Sequence, residues 1–319
     1  MSRNNPILYI VIPCYNEEQV LPHTNPMFVG KIEELVKNQE VHPNSKVMYV
    51  NDGSKDKTWE LIQAYASSNP YVVGISQSRN RGHQSSVLAG MYEAAKFADI
   101  VITIDADGQD DIDCMDQMVA EYKDGSEIVY GVRDNRDTDS AFKRITAEGF
   151  YKVMRLFGAD VVFNHADYRL VSKRFIYELA KFKEVNLFLR GLMPLVGFKY
   201  SYVTYKRHER IAGESHYPLA KMLGLAIDGI TSLSIKPIRL ITTLGVLTSF
   251  FSFALIIWVL WSKFAGNVVA GWASTYAIVS LLGGVQLISL GVIGEYIGKI
   301  YLETKRRPRY IISDRTYDE

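Results

Sequence analysis

Ile100-Val101-Ile102-Thr103-Ile104-Asp105-Ala106-Asp107-Gly108-Gln109 is the stretch on which the fold turns. An apolar, β-branched run closes on two carboxylates one residue apart, so a strand end offers oxygen ligands for a divalent cation beside a diphosphate. Asp-x-Asp is equally an ordinary solvated turn, and its meaning depends on its surroundings. Upstream, the same pattern recurs. Ile7 to Ile12 opens into Pro13-Cys14-Tyr15-Asn16-Glu17-Glu18, Lys46 to Val50 into Asn51-Asp52-Gly53-Ser54, and Val72 to Ile75 leads to Arg79-Asn80-Arg81-Gly82. Helical patterns, Trp59 to Ala66 and Val87 to Ala95, lie between these runs. Strand and helix periods that alternate in this way predict an α/β domain with a parallel sheet covered by helices, and ligands sit at the carboxyl ends of such strands. Four polar clusters should therefore converge on one crevice.

Neither G-x-G-x-x-G nor G-x-x-x-x-G-K-[ST] follows any of these strands, which argues against dinucleotide-binding and P-loop readings. A diphosphate bound here would be neutralised chiefly by metal and side chains. Nothing in the pattern points to nucleic acid. The chain has 319 residues, 48% of them hydrophobic, and a net charge of +1, so acidic and basic clusters nearly cancel. Cys14 and Cys114 are too few for a disulfide framework and fit a reducing compartment. Ile7 to Ile12 is too short for the apolar core of a signal peptide.

In the C-terminal third, Leu240 to Trp261 and Ala273 to Gly294 each run for about twenty residues without a charge, the length that spans a bilayer. Helices of a large buried core are the alternative. Lys236 and Arg239 precede the first span, Lys305, Arg306, Arg307 and Arg309 follow the second, and the loop between them carries Lys263. This distribution predicts a multi-pass protein of the inner (plasma) membrane with the N-terminal domain and both termini in the cytoplasm. Between the sheet and the first span lie many cations, among them Arg133, Arg144, Arg169 and Arg210. They either attract anionic headgroups without a specific site or form a pocket for a lipid phosphate. The turn Gly213-Glu214-Ser215-His216-Tyr217 among them favours the pocket, and Leu219 to Ser234 reads as an interfacial helix. The expected organisation is a catalytic domain over 1–217, an interfacial juxtamembrane region over 218–237, a two-helix hairpin over 238–302 and a basic tail over 303–319.

In order along the chain, Ile10-Val11-Ile12-Pro13-Cys14-Tyr15-Asn16-Glu17-Glu18, Asn51-Asp52-Gly53-Ser54, Asp105-Ala106-Asp107-Gly108-Gln109, Ala166-Asp167-Tyr168-Arg169-Leu170, Gly213-Glu214-Ser215-His216-Tyr217, Gly294-Glu295-Tyr296-Ile297-Gly298 and Arg307-Pro308-Arg309-Tyr310 carry a resemblance. The chain resembles the membrane-anchored polyprenyl-phosphate glycosyltransferases of glycosyltransferase family 2. It is similar to bactoprenol glucosyltransferases and, more distantly, to dolichol-phosphate mannose synthase. The resemblance implies a nucleotide-diphospho-sugar transferase domain of the GT-A, Rossmann-like type. It also implies inverting transfer of a hexose from a nucleotide sugar, UDP-glucose in the first instance and UDP-N-acetylglucosamine as the alternative, to undecaprenyl phosphate. On the same resemblance Pro13, Tyr15, Glu17 and Asp52 line the nucleoside site, with Asp52 accepting hydrogen bonds from the base. Asp105, Asp107 and Gln109 hold the diphosphate through Mg²⁺ or Mn²⁺. Asp167 is a base or a positioning group near the reacting oxygen, and Arg133, Arg144, Arg169, Arg210, Ser215 and His216 meet the acceptor phosphate, with Lys143 an alternative to Arg144. A downstream flippase and a further glycosyltransferase are the implied partners, and Gly245, Gly283-Gly284 and Gly291 in the spans suit the close packing of a homo-oligomer.

Plainer readings stand beside these. Tyr15 packs against its strand, Asp52 belongs to a turn before Gly53, Asp167 pairs with Arg169, and Glu295 pairs with Lys299 near the interface. Two departures from the family pattern matter. His216 stands where a lysine is usual, and Gly108 with Asp110 and Asp111 loosens the turn that carries Gln109. A processive polysaccharide synthase would carry a Gln-x-x-Arg-Trp string, and this chain has no Arg-Trp pair. A non-catalytic membrane scaffold would have no reason to keep Asp52 together with the paired carboxylates.

Overall fold

The strand Leu8–Cys14 (β1) is buried along its whole length, as a central strand covered on both faces must be. In the computed structural model, which describes residues 3–133, 165–208, 231–232, 234–264 and 271–318, β1 is flanked by β2 (Lys46–Asn51) and β4 (Ile100–Thr103), both parallel to it. On the far side of β2 lies β3 (Val72–Gln77), again parallel. The four strands read from sequence thus form the parallel sheet expected of them. From β1 the chain winds outward to β2 and β3, then crosses back to place β4 on the other side. Such a reversal opens a crevice at the carboxyl ends of β1 and β4.

The rest of the sheet is mixed. Strand β6 (His165–Ser172) lies antiparallel between β4 and β5 (Ile128–Arg133), and β7 (Tyr200–Tyr205) runs parallel to β5. At the opposite edge β8 (Ile312–Arg315), from the end of the chain, pairs antiparallel with β3. The full order is β7-β5-β6-β4-β1-β2-β3-β8. Within the region 303–319, expected as a basic tail, residues 311–316 therefore close the sheet edge. Thr316 N donates to Gly74 O, Ser78 N to Ile311 O, and Arg315 Nε to Glu93 Oε1. A four-residue strand leaves little periodicity to read, but an open β3 edge presents unpaired backbone groups that such a segment satisfies.

Alternation along the strands divides the core in two. Leu8, Ile10 and Ile12 face α1 (Leu21–Lys37) and α4 (Cys114–Lys123), while Tyr9 and Val11 face α3 (His83–Ala94) and α5 (Lys173–Leu179). Helix α2 (Thr58–Ser68) packs on β3. Helix α3 matters most for the site, because its first residue, His83, lies at the crevice. Gly90 lets α3 settle closely on the sheet: a Cβ there would lie 2.3 Å from Val11 Cγ1 and 2.7 Å from Val50 Cγ2. Gly90→Ala is expected to cost about 1–3 kcal/mol through overpacking. The check is the thermal unfolding midpoint in detergent, where Gly90→Ala/Val11→Ala should recover part of the loss.

Two long helices follow, α7 (Lys236–Phe264) and α8 (Trp272–Lys305). Both carry a candidate membrane span, Lys236–Ala254 and Leu281–Lys305, and neither span is buried in the protein. Large apolar side chains stand open along them, Trp261 at 76% exposure. A core helix would hide such residues. The interfacial region expected over 218–237 lies largely outside the described residues. Its end is tied down by Asn186 Nδ2 donating to Ser232 Oγ at 2.6 Å and by Lys299 Nζ donating to Thr231 and Ser232.

Candidate active site

At the end of β2, Asp52 is buried and its carboxylate is fully directed at a neighbouring loop. Oδ1 accepts from Arg81 N at 2.7 Å and Oδ2 from Gly82 N at 2.9 Å. Asp52 thus holds the Arg79-Asn80-Arg81-Gly82 cluster in place rather than presenting its oxygens to the crevice. Gly53 makes that approach possible. Its φ is +61°, and a Cβ would fall 2.5 Å from Arg79 C and 2.6 Å from Asn80 N. Backbone cannot yield as a side-chain tip does, so Gly53→Ala is expected to push the loop off Asp52. Faster amide exchange at Arg81 and Gly82 than in the native protein would report it.

After β1 the chain turns at Asn16, whose φ is +56°. The turn is fastened to the segment after β2: Asn16 N donates to Ser54 Oγ at 3.0 Å, Glu17 N to Thr58 Oγ1 at 2.8 Å, and Lys55 N to Asn16 Oδ1 at 2.9 Å. Pro13 is buried within β1, and the Tyr15 ring stands 42% exposed at its end. The expected nucleoside residues therefore do gather at the adjoining ends of β1 and β2.

Beyond β4 the acidic residues crowd. Asp107 Oδ1 accepts the Gln109 amide at 3.1 Å, which closes the turn. Asp105 opens to the cleft while protein surrounds it. That partial burial, with Asp167, Asp110 and Asp107 nearby, raises its pKa despite the counteracting His83. His83 Nε2 stands 3.7 Å from Asp105 Oδ1 and 3.4 Å from Asp167 Oδ2. Asp167 itself is brought to β4 by sheet pairing, since Thr103 Oγ1 donates to its carbonyl at 2.6 Å.

Asp167 is clasped by cations. Arg169 donates through Nη2 to Oδ1, and Arg190, from α6 (Leu189–Leu195), donates through Nε to Oδ1 at 3.3 Å and through Nη2 to Oδ2 at 3.1 Å. Burial alone would push the carboxyl up, but Arg190, His83 and Arg169 outweigh it and hold Asp167 well below the usual carboxylate range. Its folded pKa is lowered, so its stabilising charge is complete above the ordinary carboxylate range and lost only as pH falls through the lowered value. Near neutrality Asp167 is therefore a fixed anion and a poor proton acceptor.

Arg169 has 0% exposure. It was expected at the acceptor phosphate, but β6 carries it into the interior, where it pairs with Asp167. Among the described residues its Nε and Nη1 have no hydrogen-bond partner. Arg133, at the end of β5, donates to Tyr205 Oη at 3.3 Å and stands 3.5 Å from Asp110 Oδ1. Tyr205 in turn donates to Asp110 at 2.6 Å. Gln109 is engaged through its amide oxygen by Arg207, and its carbonyl accepts from His208 N at 2.8 Å. Arg144, Arg210, Ser215 and His216 lie outside the described residues.

His83 and Arg190 escaped the sequence reading. Arg190 is the lone charge in Leu187-Phe188-Leu189-Arg190-Gly191-Leu192, and a charge in such a run needs a partner, which was the available signal. Asp105 and Asp107 supply hard oxygen donors, and among the described residues no group of three His, Cys, Asp or Glu side chains forms a complete cage. The two carboxylates thus fit a cation such as Mg²⁺ that keeps water and takes phosphate oxygens as its other ligands.

A model of glycosyl transferase family 2 matches residues 9–180, and a model described as the GtrB C-terminal hairpin matches residues 236–300. An uncharacterized glycosyltransferase of Bacillus subtilis, YkoT, is 46% identical over 100% of this chain and 95% of its own length. The bactoprenol glucosyl transferase of Shigella phage SfX is 38% identical over 96% of this chain and 98% of its own. Among solved structures, glucosyl-3-phosphoglycerate synthase from Mycobacterium tuberculosis aligns with 73% of this chain and 80% of its own at 17% identity and a TM-score of 0.47.

Proposed function

The chain belongs to glycosyl transferase family 2, and from that membership we propose that this glycosyltransferase moves a hexose from UDP-glucose to undecaprenyl phosphate at the cytoplasmic face of the membrane. The observation that carries the proposal is the joining of two features in one protein. A carboxylate cluster with an anchored anion, Asp167, sits at the crevice, and two exposed apolar helices continue into a strand of the same sheet. Because β8 returns to the sheet after α7 and α8, the two helices must cross a bilayer twice or not at all. A hairpin with both ends on the catalytic side meets that condition, and Lys236, Arg239, Lys305, Arg306, Arg307 and Arg309 flank it there. The acceptor lipid of the phage relative, named bactoprenol, supports the choice of a polyprenyl phosphate.

The acceptor is a phosphate monoester whose second pKa is about 6 by analogy with phosphoserine, so it arrives largely as a dianion and needs no strong base. Its oxygen attacks the anomeric carbon in line, the bond from that carbon to the diphosphate oxygen breaks, and the electron pair leaves with the nucleoside diphosphate. The configuration inverts. Asp167, held by Arg190, Arg169 and His83, takes no proton. It fixes Arg190 and His83 beside the place where phosphate charge gathers. Asp105 and Asp107 would hold Mg²⁺ or Mn²⁺, which when bound offsets charge on the diphosphate. Gln109 can join them only after exchanging its contact with Arg207. Tyr15, Pro13 and Glu17 frame the nucleoside, and Asp52 serves that site through the loop it holds. Arg133, with Arg144, Arg210, Ser215 and His216, receives the acceptor phosphate.

The test uses purified full-length protein in detergent with Mg²⁺ and undecaprenyl phosphate, offered labelled UDP-glucose, UDP-N-acetylglucosamine, UDP-galactose and GDP-mannose separately. Label is expected in the organic phase with UDP-glucose. Label there with another donor corrects the sugar; label in water-soluble polymer would replace the lipid reading with a synthase.

A further inference from the structure

Glu303 lies in the last turn of α8, where the helix macrodipole disfavours a carboxylate. Its compensation comes from outside the helix. Oε1 accepts from Val185 N and Asn186 N, both at 2.8 Å, and Oε2 accepts from Val185 N at 2.9 Å. These amides belong to the approach to α6 and have no regular strand or helix to satisfy them. A few residues on, Leu189 N donates to Gln84 Oε1 at 2.8 Å, and Gln84 is the neighbour of His83. The segment 185–190 is therefore pinned at one end by the second candidate membrane helix and at the other by the helix that bears His83. Between those pins it delivers Arg190, 35% exposed, to the Asp167 carboxylate.

We propose that Glu303 is a positioning residue for the Arg190–Asp167 pair, so that the end of the second candidate membrane helix sets a cation at the reacting centre. The inference rests on the function proposed above. Among the described residues Glu303 bonds to the amides of Val185 and Asn186 and not to Asp167 or the crevice carboxylates, so its influence runs through the backbone of 185–190. Removing its carboxylate frees that backbone to drift and lets Arg190 leave Asp167, while the nucleoside residues on β1 and β2 stay where they are.

The experiment compares Glu303→Ala, Glu303→Gln, Arg190→Ala and the double variant Glu303→Ala/Arg190→Ala, each full-length in detergent, in the lipid-transfer assay. Glu303→Ala is expected to lower kcat by about tenfold with the donor KM within about twofold, a split that marks a lost transition-state contact rather than lost binding. Glu303→Gln, which keeps one acceptor oxygen, should recover most of that activity. In the Arg190→Ala background the Glu303→Ala change should add less than about threefold, as expected of two residues acting in one chain of contacts. An undiminished tenfold loss in that background, or a loss in Glu303→Ala that follows a fall in thermal midpoint, overturns the proposal. Hydrogen exchange decides it independently of turnover. Glu303→Ala should speed exchange at the amides of Leu189, Arg190 and Gly191 while leaving β1 and β4 protected, and unchanged exchange there overturns it. A wild-type protein that transfers no sugar refutes the proposed function alone, and the exchange result then rules on Glu303.

Discussion

Asp107→Asn is expected to reduce sugar transfer by about a thousandfold or more, a loss of about 4 kcal/mol in transition-state stabilisation. The substitution is chosen because it separates charge from shape. Asp107 Oδ1 accepts the Gln109 amide, and an asparagine carbonyl can accept the same bond, so the turn survives while the negative charge goes. What remains is Asp105 alone to hold a divalent cation against the diphosphate. Donor affinity in the presence of Mg²⁺ should fall with turnover. A useful control is Asp110→Asn: Asp110 is committed to Tyr205 and Arg133, and its loss should cost far less. Turnover in Asp107→Asn above a tenth of the native value at saturating Mg²⁺ would remove Asp107 from the proposed diphosphate site.

Asp167→Asn should act on two quantities at once. Turnover is expected to drop by about a hundredfold with donor binding spared, because Arg190 and His83 lose the anion that aligns them. Stability should drop as well, by about 3–5 kcal/mol, since the fully buried Arg169 is left without its counter-charge. The second effect has a specific remedy. Replacing the cation too, as Asp167→Asn/Arg169→Met, removes the uncompensated charge and should restore much of the thermal midpoint without restoring turnover. If Asp167→Asn abolishes donor binding to the same degree as Asp107→Asn, the two carboxylates do not divide their roles as described.

The half of the fold that carries the nucleotide side was legible because β1 to β4 are short apolar runs, each closed by a polar cluster, and helical patterns separate them. The other half was not. Strand β6 reads His-Ala-Asp-Tyr-Arg-Leu-Val-Ser, and the alternating charges at Asp167 and Arg169 suggest a solvent face, whereas the pair neutralises itself inside the sheet. Strand β8 is too short to announce itself. For the candidate site, Asp105 and Asp107 were legible because a strand end positions them locally. His83 and Arg190 meet Asp167 only through tertiary packing, across separations that no spacing rule encodes. Asp52 stood out in the sequence, but its backbone partners, Arg81 and Gly82, became evident only once β2 and β3 lay side by side.

Strand β8 also imposes an order on biosynthesis. The edge of β3 is covered by residues made after both apolar helices. A ribosome that has finished the catalytic residues has not yet finished their sheet. Until the segment after both apolar helices returns to the sheet, β3 stays open and Glu93 lacks Arg315. A chain whose residues 311–316 fail to return would keep that edge bare, with unpaired backbone groups open to another strand. The sheet that carries the candidate site is thus complete only after both apolar helices have been made.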